Sequence, residues 1–139
     1  TTYPSKQFEV AVHSQKEKLS MSFKTLLAYK KGFDLAMEIF HIAKSFPKHE
    51  QFGLTSQITR SSRSVCSNIA EVTEKRKYEK HFKSKLSDAD SENSETQLWL
   101  DFATACGYIS EEKKQELEHK SEEIGKLINY MIINPDKFR

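Results

Sequence analysis

Two Glu-x-x-His pairs, Glu38 with His41 and Glu116 with His119, come nearest to a metal-binding motif in this sequence. Di-iron four-helix proteins bind their metals through such a pair on each of two helices, together with a glutamate from each of the other two. Here the pairs fall on the first and last predicted helices, among polar residues at helical spacing. They therefore face away from the predicted core, and we expect neither a metal site nor a cofactor.

Four carboxylates lie close together in the stretch SDADSENSETQ, residues 87–97. They could form a Ca²⁺ site only in a loop, and an EF-hand loop also needs a glycine near its centre. The stretch contains neither glycine nor proline, which favours a continuous helix. On a helix the four side chains point in different directions and form a solvated surface.

Residues before, within and after this stretch follow the alternating steps of four and three that mark the seam of a helix bundle. The seam consists of Phe82, Leu86, Ala89, Asn93, Thr96, Leu100 and Ala103. The sequence therefore predicts a helix of about 30 residues, roughly 45 Å long, with a polar layer at Asn93 and Thr96. Buried polar groups need hydrogen-bond partners, and Gln57 or Asn68 of the preceding helix could supply them.

Motifs for other chemistry do not occur. The chain contains no GxSxG or SxxK sequence for a nucleophilic serine and no glycine-rich phosphate loop. We therefore predict no catalytic residues and no enzyme activity.

A basic run, KRKYEKHFKSK at residues 75–85, carries six Lys or Arg residues and one Glu. Clustered cations gain affinity for nucleic acid because binding releases counterions from the phosphates. The alternative is that the run is only a solvated helix face. The candidate phosphate-contacting residues, which include two arginines upstream, are Arg60, Arg63, Lys75, Arg76, Lys77, Lys80 and Lys83.

Four helices are expected to position these residues. With 139 residues, 37% hydrophobic and 30% charged, and only four Gly and three Pro, the chain has the profile of one helix-rich domain. The first predicted helix runs from Ala28 to just before Pro47, and the second runs from about Thr55 to Glu74. The third contains the seam residues and ends at Gly107, and the fourth runs from the N-cap Ser110 to Pro135. Short links between them predict an all-α, antiparallel up-down four-helix bundle over residues 28–139. Residues 1–27 form an N-terminal extension that we leave unassigned.

Inward positions follow from the helical spacing. In the second helix they are Leu54, Ile58, Val65, Ile69 and Val72, and in the fourth they are Leu117, Ser121, Ile124, Ile128 and Met131. The first helix carries two apolar stripes instead of one. The first stripe is Phe33, Ala36, Met37, Phe40 and Ala43, and the second is Leu35, Ile39, Ile42 and Phe46.

One bundle core cannot cover both stripes, and the segment LWLDFATAC at residues 98–106 is also apolar on nearly every side. Large exposed apolar patches are uncommon on monomers, so the surplus predicts a homo-oligomeric interface with aromatic anchors. The candidate interface residues are Leu35, Ile39, Ile42, Trp99 and Phe102.

The two cysteines, Cys66 and Cys106, lack the spacing of a zinc or redox motif, so we expect reduced thiols packed as small apolar groups. Reduced thiols favour the cytoplasm. No apolar run reaches the length of a membrane span, and no signal-peptide core is present, so we expect a soluble protein with no membrane partner.

Three segments in order carry a resemblance to a known family: FPKHEQFGLTSQITRSSRSVCSNIAE, SETQLWL and GYIS. Over about residues 25–134 the chain resembles the bacterial four-helix-bundle proteins that are encoded in intervening sequences of 23S rRNA genes and often labelled ribosomal-protein-like. It is more distantly similar to the accessory variability determinant of diversity-generating retroelements. The chain departs from the family at Cys66, where Pro is common, and at Val72, where Gly is common, and both changes favour a straighter second helix.

The resemblance implies a four-helix bundle that assembles as a ring-like homopentamer, with rRNA or another nucleic acid as the proposed partner and no catalysis. Two functional hypotheses therefore stand. The first is a non-enzymatic, nucleic-acid-binding oligomer, and the second is a structural or protein-interaction module that binds no nucleic acid.

Overall fold

The computed structural model describes residues 26–75 and 77–138, and it confirms the all-α four-helix bundle. The helices are α1 (Leu27–Ala43), α2 (Leu54–Lys75), α3 (Glu79–Ala105) and α4 (Glu111–Ile133), with short 3-10 turns at Lys48–Glu50 and Pro135–Lys137. Each helix packs against the next along the chain, and α1 also packs against α4, which closes the bundle. None of the described helices is both long and apolar enough to cross a bilayer.

Ion pairs between α2 and α3 show how these helices run. Arg60 pairs with Glu92 and Lys85 pairs with Glu71, so the residue numbers rise along one helix as they fall along the other. The pair is therefore antiparallel, as its three-residue connection requires. Most of the predicted N-terminal extension lies outside the described residues, but Leu26 is 0% exposed and belongs to the bundle core.

The core confirms the inward positions predicted for three of the four helices. Every predicted seam residue of α2, α3 and α4 is buried. The stretch SDADSENSETQ lies in the middle of α3, a helix of 27 residues, so its prediction as helix is also confirmed.

In α1 the two apolar stripes are divided differently from the prediction. Leu35 and Ile39 lie in the core at 3% and 0% exposure, whereas Phe33 and Met37 face outward at 49% and 38%. The reason is the small side chains of α1 that face α2. A Cβ atom added at Gly32 would lie 3.4 Å from the Cys66 Sγ atom, so close packing at this glycine fixes the rotation of α1.

The polar layer of the core is present, but its partners are not those predicted. Asn93 Nδ2 donates to the carbonyl oxygen of Ser121 at 2.8 Å, and Ser121 Oγ donates to Asn93 Oδ1 at 2.8 Å. Thr96 and Ser61 share a hydrogen bond of 2.9 Å between their hydroxyl oxygens. Gln57 is exposed and Asn68 donates to a carbonyl of its own helix, so the predicted pairing with these two residues is wrong.

Helix ends follow the predicted signals at α3 and α4. Gly107 has φ 78°, and its N–H donates to the Thr104 carbonyl while the next N–H donates to the Ala103 carbonyl, which is the Schellman pattern. The Ser110 hydroxyl accepts from the N–H of Lys113 at 3.0 Å and caps α4. For α2 the prediction of Thr55 or a neighbour is corrected, because the Glu50 carboxylate accepts from the Leu54 N–H at 3.1 Å.

Candidate functional site

Both Glu-x-x-His pairs lie on the surface where α1 meets α4. Glu38 and Glu116 each bind Lys120, which links the two helices. His119 is largely exposed, and its Nε2 atom lies 3.2 Å from Glu123 Oε1. Within residues 26–75 and 77–138, no group of three or more His, Cys, Asp or Glu side chains could hold a metal ion. Glu38 thus pairs across the two helices, whereas Glu116 and His119 pair within α4.

The basic candidates separate into two groups. Arg60 is bound by two carboxylates of α3, with Glu92 at 3.1 Å and Glu95 closer still. The hydrogen bond that Arg60 donates to Glu95 raises the pKa of Arg60, and the two carboxylates occupy its guanidinium. Arg63 lies over the ring of Phe40, at 5.6 Å from the ring centroid. Neither arginine is at the α2–α3 turn, since 15 residues of helix place Arg60 about 22 Å from Lys75.

Four of the five lysines of the basic run lie where α2 ends and α3 begins, and the fifth, Lys85, pairs with Glu71. We call this group the turn lysines: Lys75, Lys77, Lys80 and Lys83. Lys77 and Lys80 are exposed, and Lys83 makes a surface ion pair with Glu79 at 3.5 Å. Arg76, the remaining candidate, lies outside the described residues. The sequence therefore identified the cluster but added two arginines that belong elsewhere.

An apolar groove lies between α1 and α2 on the described surface. We call it the α1–α2 groove, and it has a volume of about 340 Å³. It is lined by Tyr29, Phe33, Ala36, Met37, Arg63, Cys66, Ser67 and Ala70. Its aromatic and methionine side chains stand at the rim and are partly exposed, while the alanines leave the floor open.

A second exposed apolar surface lies on the outer side of α3. Leu98 and Phe102, one helical turn apart, are 46% and 51% exposed, and we call this pair the α3 ridge. Trp99 is only partly buried and packs against both the core and Phe102, with the two ring centroids 5.8 Å apart.

These two surfaces correct the predicted interface set. Leu35 and Ile39 are core residues and cannot contact another subunit, and Ile42 is half-buried against the core. Phe102 is exposed as an interface residue must be. Phe33 and Met37, which the sequence left out of the candidate interface, are the exposed residues of the first stripe. The sequence signal for the buried side of α1 is the pair Gly32 and Ala36, because small residues mark the side of a helix that packs most closely on its neighbour.

The two thiols differ in environment. Cys66 lines the α1–α2 groove, and burial, together with the charge of Asp34, raises its pKa to about 11. Cys106 is exposed at the end of α3, so the expectation that it packs as a small apolar group is wrong. Both are free cysteines.

Comparisons with known proteins place the fold in a family. A family model described as 23S rRNA-intervening sequence protein matches residues 24–130. The chain is 30% identical to a protein of unknown function from the S23 ribosomal protein family of Bacteroides thetaiotaomicron, whose crystal structure superposes with a TM-score of 0.70 over 77% of this chain and 96% of that chain. The comparison with curated proteins gives no match. Since the family model spans α1, α2, α3 and most of α4, the chain belongs to the 23S rRNA-intervening sequence protein family.

Proposed function

We propose that this protein is a non-enzymatic, cytoplasmic homo-oligomer that binds structured nucleic acid through the turn lysines. The observation that carries the proposal is the position of Lys75, Lys77 and Lys80 at one end of the bundle. The family name refers to 23S rRNA, which makes structured RNA the first ligand to test. The homopentamer and the likeness to the retroelement determinant stay predictions from the resemblance.

The turn lysines suit phosphate better than the two upstream arginines do. Lys77 and Lys80 are exposed, and Lys80 makes no ion pair with any described residue. Arg60 already has two carboxylate partners, and a phosphate would have to displace them. Lysine contacts phosphate as a point charge, so binding through this cluster should tolerate many sequences.

Assembly would strengthen this binding. A single protomer has a net charge of only +2, which is too small to attract nucleic acid over a distance. In a homo-oligomer the turn lysines repeat once per subunit, and each bound cluster raises the effective concentration of phosphate at the next.

A double charge reversal tests the proposal. The double variant Lys77→Glu, Lys80→Glu should bind a hairpin RNA about tenfold more weakly than wild type, because two cations that contact phosphate become anions that repel it. The wild-type affinity should also fall steeply between about 50 and 200 mM salt. The measurement is fluorescence anisotropy of the labelled hairpin.

The matched control is Lys48→Glu with Lys113→Glu, which changes the net charge equally at the opposite end of the bundle. This variant should bind within about twofold of wild type if position matters more than net charge. Equal weakening by both variants would contradict a defined site. Failure of the wild-type protein to bind hairpin RNA or duplex DNA at low salt would contradict the proposal and favour a protein-interaction module, which the exposed apolar surfaces also suit.

A further inference from the structure

We infer that the α1–α2 groove of one protomer binds the α3 ridge of a second copy of the chain. The inference rests on the homo-oligomer of the proposed function and specifies which two surfaces meet in it. The contact is heterologous, which means that each copy uses its groove for one neighbour and its ridge for another.

Apolar shape is the first argument. Phe33 and Met37 stand four residues apart on α1, and Leu98 and Phe102 stand four residues apart on α3, so both pairs repeat at about 6 Å along their helices. Rows of side chains at this spacing can interdigitate when two helices pack. The floor of the groove, at Ala36 and Ala70, leaves room for the large side chains of the ridge.

Charge around the two surfaces is the second argument. The groove offers a cation, since Arg63 lines it and makes no ion pair with a described carboxylate. Asp34 is an acidic exception on this side. Carboxylates outnumber cations beside the ridge. Glu95 and Asp101 lie within one turn of Leu98 and are partly exposed, but both are ion-paired within the chain. Glu95 shares Arg60 with Glu92, and Asp101 shares Lys114 with Glu111 and Glu118.

The same charges argue against symmetric contacts. A ridge against a ridge would bring two carboxylate-rich surfaces together, and a groove against a groove would bring the two Arg63 side chains together. Like charges across an interface are unfavourable, whereas groove against ridge brings opposite charges together. Because groove and ridge lie on different sides of the bundle, one copy can engage two neighbours, and the series closes into a ring when the rotation between copies allows it.

A mixing experiment tests the pairing without nucleic acid. The groove variant is Phe33→Lys with Met37→Lys, and the ridge variant is Leu98→Glu with Phe102→Glu; all four positions are exposed, so the bundle should stay folded. Each variant alone lacks one of the two surfaces that a contact needs and should be monomeric by light scattering. An equimolar mixture should give a heterodimer of twice the 16.1 kDa protomer mass and nothing larger, because one intact groove meets one intact ridge.

Three results would overturn the pairing. The first is a groove variant that still dimerises alone, which would mean that ridge binds ridge. The second is a ridge variant that still dimerises alone, which would mean that groove binds groove. The third is a mixture that stays monomeric although the wild-type protein is oligomeric. A monomeric wild type would overturn the homo-oligomer as well, and the RNA measurement then decides the remainder of the proposed function separately. The control is Phe52→Glu, since Phe52 is 88% exposed outside both surfaces and should leave the wild-type mass unchanged.

Cross-linking keeps the inference testable if a charged variant fails to fold. In a Cys66→Ser, Cys106→Ser background, Phe33→Cys with Leu98→Cys should form disulfide-linked chains on oxidation, seen on non-reducing gels. Phe33→Cys with Phe52→Cys should stay mostly monomeric. Equal cross-linking of both double variants would contradict the pairing.

Discussion

At the residue scale, the Asn93–Ser121 pair shows that the polar layer has a structural role. Its two reciprocal hydrogen bonds of 2.8 Å join α3 to α4, and Gln97 adds a third to the Ser121 hydroxyl at 2.9 Å. Asn93 is 3% exposed and Ser121 is 0% exposed, so neither can turn to solvent when the other is removed.

Asn93→Ala should therefore lower the free energy of unfolding by about 1–3 kcal/mol, because it removes the acceptor of the buried Ser121 hydroxyl and the side-chain donor to the Ser121 carbonyl. Asn93→Leu combined with Ser121→Ala should recover most of this loss, since it removes both buried side-chain partners and leaves only the half-buried Gln97 amide without its acceptor. Urea denaturation measures the free energy of unfolding of both variants, and Ser91→Ala, at an exposed position of α3, is the control. A double variant less stable than Asn93→Ala would contradict this account, because the loss of stability would then not come from unpaired polar groups.

At the element scale, Glu50 connects two loops and the start of a helix. One carboxylate oxygen accepts from the Leu54 N–H at 3.1 Å, and the other accepts from the Tyr108 hydroxyl at 2.8 Å. These two hydrogen bonds lower the pKa of Glu50, and the same contact raises the pKa of Tyr108 to about 12. The carboxylate thus ties the α1–α2 connection to the α3–α4 connection.

A pH dependence of stability follows. A carboxyl group whose pKa is lower in the folded than in the unfolded state stabilises the fold above its ordinary pKa of 4.5. That stability is lost as the pH falls through the lower, folded value. Glu50→Gln should be less stable than wild type near neutral pH and should lose less stability below about pH 4.5.

Thermal unfolding across this acid range measures the effect. Glu122→Gln, at an exposed position of α4, should keep the wild-type pH profile. Equal acid sensitivity of wild type and Glu50→Gln would contradict the role of the carboxylate. Tyr108→Phe should remove part of the effect, since only one of the two main contacts is lost.

The element scale also shows why prediction from the sequence succeeded for three helices and failed for α1. In α2, in α4 and in α3 before Leu98, one stripe is apolar or small and the others are mostly polar, so the helical period alone sets the buried side. In α1 apolar residues occur on both sides, and the rotation depends on where Gly32 meets Cys66, a contact between helices. Ser61 and Ser121 were missed as partners of the polar layer because their pairing depends on the axial register of neighbouring helices.

At the scale of the whole molecule, the same limit applies to the candidate site. The basic run was visible because its residues are adjacent in sequence, and the structure keeps them together. The neutralisation of Arg60 by Glu92 and Glu95 was not visible, since more than 30 residues separate them. An excess of apolar surface could be read from the sequence, but its division into a groove and a ridge required the folded bundle.

The thiols give a prediction that joins the fold to the assembly. Cys106 should react quickly with a disulfide reagent near neutral pH because it is exposed, whereas Cys66 should react slowly because it is partly buried and its pKa of about 11 leaves little thiolate. The Cys66 rate, measured in Cys106→Ser, should rise about tenfold per pH unit below this pKa, as the thiolate fraction does.

Assembly should slow Cys66 further, because a ridge seated in the groove covers it. In the Cys106→Ser background, adding Leu98→Glu and Phe102→Glu should therefore make Cys66 react faster than in the assembled protein at the same pH. The control is Phe52→Glu, which should leave the rate unchanged. If removing the ridge does not change the Cys66 rate while it does change the mass, the groove is not the surface that the ridge covers, and the copies meet elsewhere.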